Sequence, residues 1–201
     1  MREIEFFFDI SSPWTYLAFS QIEKLATQHE ADLIWKPILV GGVFNAVNQQ
    51  VYETRASLDG PKFAYQLQDL QDWAAFYDIE INWPSVFPLN AVKLMRGAVV
   101  AQQENLLPQY AAHGFAAYWG AGQDLSQTEP LAALAEATGL DRDMFLRALD
   151  TPEVKQTLRT NTDELIARGG FGSPSFFVNR DKMFFGNDRL PLLIHALQSQ
   201  P

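Results

Sequence analysis

The chain has 201 residues, 47% hydrophobic and 13% aromatic, with 24 acidic against 15 basic side chains and a formal net charge of −9. That length and apolar content suffice for a buried core and argue against disorder, while an acidic balance without a Lys/Arg cluster argues against nucleic acid and anionic membranes as partners. With no cysteine, and with His29, His113 and His195 at no metal-binding spacing, the chain offers no thiol nucleophile and no disulfide, and no metal is expected.

Strand residues begin almost at once after Met1, and no apolar run reaches the length of a membrane span, so the expectation is a cytoplasmic protein without a signal peptide. Residues 3–8, rich in Phe and too short for a helix, predict a buried strand that ends at Asp9. Ser12-Pro13 then reads as a helix start, because a serine oxygen caps the first turn and proline suits the first helical position. The N–H groups there also attract negative charge, so an ordinary cap and an anion site are both open readings. Trp14, Leu17, Ala18, Ile22 and Leu25 fall on one face of a helix over 13–28. Leu33–Leu39 predicts a second strand, broken at Pro37 and stopped by Gly41-Gly42. A strand–helix–strand unit of this kind is parallel and right-handed by default.

From Lys62 to Arg168 helical spacing dominates. Phe63, Leu67, Leu70, Trp73, Ala74 and Tyr77 form one face, and further helices are predicted over 89–103, 106–119, 130–138, 141–149 and 152–168. Residues 77–84 read as an extended link. Strand signals return at 175–178 and 182–185, around a hairpin loop of Asn179-Arg180-Asp181, before a last helix ending near Leu197.

A βαβ unit, a helical block and an αββα tail follow the order of the thioredoxin-like fold. The predicted class is therefore α/β, with 1–44 and 152–201 as the thioredoxin-like domain and 45–151 as an all-helical insertion. Phe8-Asp9-Ile10-Ser11-Ser12-Pro13-Trp14, Gly172-Ser173-Pro174-Ser175-Phe176-Phe177 and Phe185-Gly186-Asn187-Asp188-Arg189-Leu190 resemble signatures of the 2-hydroxychromene-2-carboxylate isomerases. That family is similar to kappa-class glutathione transferases and shares its fold with bacterial disulfide oxidoreductases.

The resemblance implies glutathione as the cofactor. Where redox relatives carry Cys-Pro-x-Cys this chain has Ser12-Pro13-Trp14-Thr15, so glutathione would bring the thiol and Ser12 would stabilise it. It also implies a cis bond at Ser173-Pro174 facing the helix start, with the Ser173 backbone holding the cysteinyl part of glutathione as an added strand. Asn187 and Asp188 would meet the γ-glutamyl end; by residue type alone, Asp188 is equally a helix cap. Lys62 would reach the glycyl carboxylate or the substrate. An Asn after the Gly-Gly turn completes the set; Asn48 is the match and Asn45 its competitor, although the usual Asn-x-Pro context reads Asn48-Gln49-Gln50 here. Trp14, Tyr65 and Trp119 are the candidates for a pocket around a small aromatic carboxylate, with Phe44, Tyr110, Phe115 and Tyr118 read as core.

The activity implied is a glutathione-dependent isomerase converting 2-hydroxychromene-2-carboxylate, or a close analogue, into trans-o-hydroxybenzylidenepyruvate. A kappa-type glutathione transferase or peroxidase is the alternative, and a cysteine-less peptide-binding module the second. By the same resemblance the chain forms a homodimer.

Overall fold

Alternation governs the first strand, β1 (Arg2–Phe8), in a computed structural model that describes residues 2–56 and 60–199, the side chains of 54–56 excepted. Ile4, Phe6 and Phe8 join the main core, while Phe7 belongs to a second cluster with Ile38, Val43, Leu165 and Phe177. The two clusters are the two covered sides of one four-stranded sheet.

The next elements are α1 (Pro13–Gln28), β2 (Ala31–Pro37), α2 (Val40–Val47), α3 (Gln50–Ala56) and α4 (Pro61–Phe76). Then follow α5 (Val92–Gln103), α6 (Leu107–Phe115), α7 (Thr128–Thr138), α8 (Arg142–Ala148) and α9 (Pro152–Ala167). A five-residue π turn over Ala116–Gly120 extends α6, so the helix anticipated over 106–119 changes pitch before it ends. The tail is β3 (Ser175–Val178), β4 (Lys182–Phe185), a 3-10 turn over Asn187–Arg189 and α10 (Leu190–Gln198).

Strand order is β2-β1-β3-β4. β1 runs parallel to β2, placing Phe6 beside Trp35, and antiparallel to β3, placing Phe6 beside Phe176. The Phe6 and Phe176 rings stack with centroids 4.9 Å apart, and Trp35 closes against Phe6 at 5.5 Å. This aromatic seam fixes the register, since a one-residue slip would send these rings to the opposite face.

Two expectations are corrected. The second strand lies two residues earlier than anticipated, because Arg2 pairs with Ala31 and Pro37 is its last position. Gly41-Gly42 does not stop the chain but sits inside α2, whose first N–H, at Val40, is held by the Asp9 carboxylate at 2.8 Å. A cap supplied from a residue 31 positions away carries no local signal. Among the described residues, no helix is long and apolar enough to cross a membrane.

Candidate active site

The site is built where β1 ends. Ser12 has the extended backbone of a helix cap, φ −102° and ψ 122°, and its Oγ accepts the Thr15 N–H at 3.3 Å, with Pro13 opening α1. The same oxygen donates its hydrogen to the Ser173 carbonyl, 3.1 Å away and 161 residues along the chain. Ser173 lies at the entry to β3, and its bond to Pro174 is cis. Its side chain is locked beneath: Thr15 Oγ1 and Ser173 Oγ are 2.8 Å apart, and Ser173 Oγ accepts the Asp9 N–H at 3.0 Å. The helix start and the cis-proline segment are thus stitched together by hydroxyl and backbone groups alone.

Behind them stands a fully buried carboxylate. Asp9 Oδ1 accepts both the N–H and the Oγ–H of Ser11 at 2.8 Å, and Oδ2 accepts the Val40 N–H. Burial pushes its pKa up, opposed by the donors from Val40 and Ser11.

Ser11, Ser12, Pro13 and Ser173 floor a cleft of about 470 Å³, with Asp9 and Thr15 buried behind them. One side is formed by Val40, Phe44, Asn48 and Val51, with Gly172 and Phe185 at the end of the sheet. The facing side is mostly apolar: Trp14 from α1, Phe63, Leu67 and Leu70 from α4, interrupted by Gln66, and Trp83 and Phe87 from the link after α4. Gly172 is required by closeness, since a Cβ there would come within 2.8 Å of the Phe185 ring. Among the described residues, no ionisable side chain lines the cleft.

Ser12, Trp14, Asn48 and Ser173 are brought together as anticipated. Asn48 donates from Nδ2 to the Phe171 carbonyl at 3.1 Å, bridging α2 to the loop before β3. Asn45 is exposed, accepts the Tyr52 hydroxyl at 2.8 Å and lies outside the lining. The other candidates are placed elsewhere. Lys62 is exposed in the first turn of α4, one residue before Phe63. Tyr65 is 64% exposed and is not part of the wall. Trp119 is fully buried: a buried indole needs an acceptor, and its Nε1 donates to the Ile10 carbonyl at 2.8 Å. Trp119 therefore backs the wall, 6.0 Å from Trp83 and 6.1 Å from Phe87 between ring centroids, rather than forming it.

Asn187 and Asp188 sit in the 3-10 turn that packs on α1, outside the cleft lining. Asp188 does not cap α10; its carboxylate pairs with Arg189 at 2.8 Å and α10 begins at Leu190. Asn187 is buried and faces the Tyr77 phenol, yet its Nδ2 has no hydrogen-bond acceptor among the described residues. Burial raises the Tyr77 pKa, and the Asn187 amide lies close enough to the phenol to lower it against that effect.

The α4 wall escaped the sequence reading as a site. Its Phe63–Leu67–Leu70 spacing is that of any core-facing helix, and Trp83 and Phe87 lie in a segment with no periodicity at all.

A four-stranded mixed sheet, a helix starting right after its central strand, and a cis-proline segment hydrogen-bonded to that start define a thioredoxin-type domain, here with Ser12 and Thr15 at the two redox positions. Residues 3–198 match the DsbA-like thioredoxin domain. The 2-hydroxychromene-2-carboxylate isomerase of Pseudomonas putida is 30% identical over 194 residues, covering 96% of this chain and 93% of the relative. Human glutathione S-transferase kappa 1 is 25% identical over 210 residues, covering 98% and 91%. A solved structure of 2-hydroxychromene-2-carboxylate isomerase superposes with a TM-score of 0.82 at 28% identity, over 98% of this chain and 94% of the other. The chain belongs to the DsbA-like thioredoxin-domain family, in the group that holds these isomerases and the kappa-class glutathione transferases.

Proposed function

We propose that the cleft seats glutathione and that the chain is a glutathione-dependent cis–trans isomerase acting on 2-hydroxychromene-2-carboxylate or a close analogue. The observation that carries this reading is the Ser12 hydroxyl at the N-terminus of α1, 3.1 Å from the Ser173 carbonyl, in a chain without cysteine. The residues present suit that cofactor: a helix start for an anionic sulfur, a backbone edge at Ser173 and the Asn48 amide in the cleft.

When bound, glutathione supplies a thiolate that adds reversibly to a conjugated double bond, so that the bond rotates before elimination. The protein's part is to stabilise that charge. An ordinary thiol with pKa about 8.5 is only a few per cent ionised at neutral pH. Moving that value down by about two requires roughly 2.7 kcal/mol of preference for the thiolate. A helix N-terminus contributes about 0.3–2 kcal/mol, and a hydrogen bond to a charged group about 1.5–3 kcal/mol. The Ser12 hydroxyl, once turned from the Ser173 carbonyl to the sulfur, and the N-terminus of α1 are together sufficient. The Ser173 N–H and C=O would hold the ligand backbone as an added strand; Asn187 and Asp188 would serve its γ-glutamyl end and Lys62 a carboxylate only where the ligand extends beyond the cleft lining. The apolar wall excludes water from the reacting carbons and positions the ring.

Removing one stabilising donor of this kind costs about 10²-fold in turnover. Ser12→Ala is therefore expected to lose roughly that factor with a hydroxychromene carboxylate and glutathione. Turnover within a few-fold of the parent overturns the role. A specific observation favours the kappa-type transferase as second reading: the wall of Trp14, Phe63, Leu67, Leu70, Trp83 and Phe87 suits an apolar electrophile. Chlorodinitrobenzene, cumene hydroperoxide and the hydroxychromene carboxylate, assayed side by side, separate the two. Absence of glutathione binding in calorimetry at millimolar ligand would favour the peptide-binding module instead.

A further inference from the structure

Asp9 and Ser11 are not used by the mechanism above, yet they connect the cleft to the buried interior. The backbone bond from Ser11 to Asp9 Oδ1 is the ordinary bond of an Asx turn, and the Val40 bond caps α2. The Ser11 hydroxyl repeats an arrangement that the Asp124–Ser126 turn also makes on the surface, but here the carboxylate is buried and the serine borders the cleft. A serine hydroxyl has a single hydrogen, and Ser11, which lines the cleft beside Ser12, directs it to Asp9 Oδ1 at 2.8 Å.

We infer that Ser11 and Asp9 form a two-residue proton relay that takes up the proton of a thiol entering the cleft; this rests on the glutathione reading above. Ser11 Oγ accepts the thiol proton while its own hydrogen passes to Asp9 Oδ1. The S–H and the original Oγ–H bonds break, a new Oγ–H and an Oδ1–H form, and the negative charge moves from carboxylate to sulfur. Ser11 ends as it began, and the reverse transfer returns the proton when the thiol leaves.

The direction of transfer follows from solvation. Asp9 is removed from water, where a charge is costly, and burial raises its affinity for a proton. The sulfur lies at a helix N-terminus that favours negative charge. The groups bonded to the Asp9 carboxyl are neutral: the N–H and hydroxyl of Ser11 from the turn and the Val40 N–H from α2, while Ser173 Oγ, at the entry to β3, accepts the Asp9 backbone N–H. Among the described residues, no charged side chain pairs with the carboxyl, so its charge is free to be neutralised.

The test follows glutathione binding without turnover. Thiolate formed is read from its ultraviolet absorbance, protons released from calorimetry in buffers of different ionisation enthalpy, and Asp9 from infrared difference spectra. In the parent, fewer protons are expected in the medium than thiolates formed, with the carbonyl band of a protonated carboxyl appearing on binding. Asp9→Asn is expected to lose that band and to release one proton per thiolate. Ser11→Ala, which keeps the backbone bond to Asp9, is expected to slow thiolate formation about tenfold in stopped flow. Thiolate with matched proton release and no new band in the parent overturns the relay and leaves the glutathione reading standing. An unchanged rate in Ser11→Ala overturns the part assigned to Ser11. Glutathione that binds without ionising, or not at all, refutes the glutathione reading itself and the relay with it.

Discussion

Glu5 within β1 and Asp9 just past its end are two buried carboxylates, and they are handled in opposite ways. Glu5, on the α9 side of the sheet, has a cation: Arg168 Nη2 is 2.6 Å from its Oε2, and the guanidinium lies 3.7 Å over the Phe177 ring and also bonds Glu164 at 2.8 Å. Asp9, at the end of the strand that meets the cleft, has only neutral donors. A carboxylate matched to a fixed cation belongs to the scaffold, because separating the pair strands a charge in the interior. A carboxylate held by hydroxyl and amide groups is positioned just as firmly, but its charge is not balanced by a neighbour. The strand therefore carries one acid that ties α9 to the sheet and is followed by another that is in place to exchange a proton.

Breaking the first pair gives the largest effect. Arg168→Ala strands the Glu5 charge and is expected to cost about 3–5 kcal/mol of stability, read from denaturant unfolding. A loss below about 1 kcal/mol would place this pair with exposed ion pairs and dissolve the contrast. Trp119→Phe comes next. It removes the indole donor from the Ile10 carbonyl, next to Asp9, and is expected to cost about 1–3 kcal/mol. If thiolate formation is unaltered in that variant, the Asp9 turn is held by its own bonds.

The pH dependence of stability sharpens the comparison from the other side. Burial raises the folded pKa of Asp9 above its unfolded value of about 3.9, so the folded state holds the proton more tightly. The contribution of Asp9 is fully present below the unfolded value and is lost as pH rises through the folded one. Melting curves across the acid range should show the parent declining relative to Asp9→Asn as pH increases. Parallel curves would mean that folding leaves the Asp9 proton affinity unchanged. Lys62→Ala gives the smallest effect, because this exposed lysine has been given only the glycyl carboxylate of glutathione or the substrate to meet: KM for glutathione or for the substrate rises while kcat and stability hold. A fall in kcat alone would place it nearer the reacting atoms.

Most of the sheet was legible because its strands are short apolar runs and its helices carry a clean apolar stripe. Ser12-Pro13 stood out as a local helix-start device, whereas the cis bond at Ser173-Pro174 and its place opposite that start followed from the resemblance. What stayed hidden was whatever depends on distant partners. The α2 helix reads as a glycine turn unless the Asp9 cap at Val40 is known. Asp9 itself reads only as the end of a strand. The apolar residues of α4 have the periodicity of core, and whether a helix face meets core or cleft is decided by what lies opposite. Trp119 illustrates the converse: its size suggests a ring wall, but its N–H is satisfied by the Ile10 carbonyl inside the protein.

The account turns on a thiolate held by a chain that has no sulfhydryl of its own, and titrating the bound cofactor tests this most directly. With glutathione saturating, the thiol is expected to ionise about two pH units below its free value near 8.5, and Ser12→Ala to lose most of that displacement. Bound glutathione that titrates like the free tripeptide in the parent protein would contradict the account.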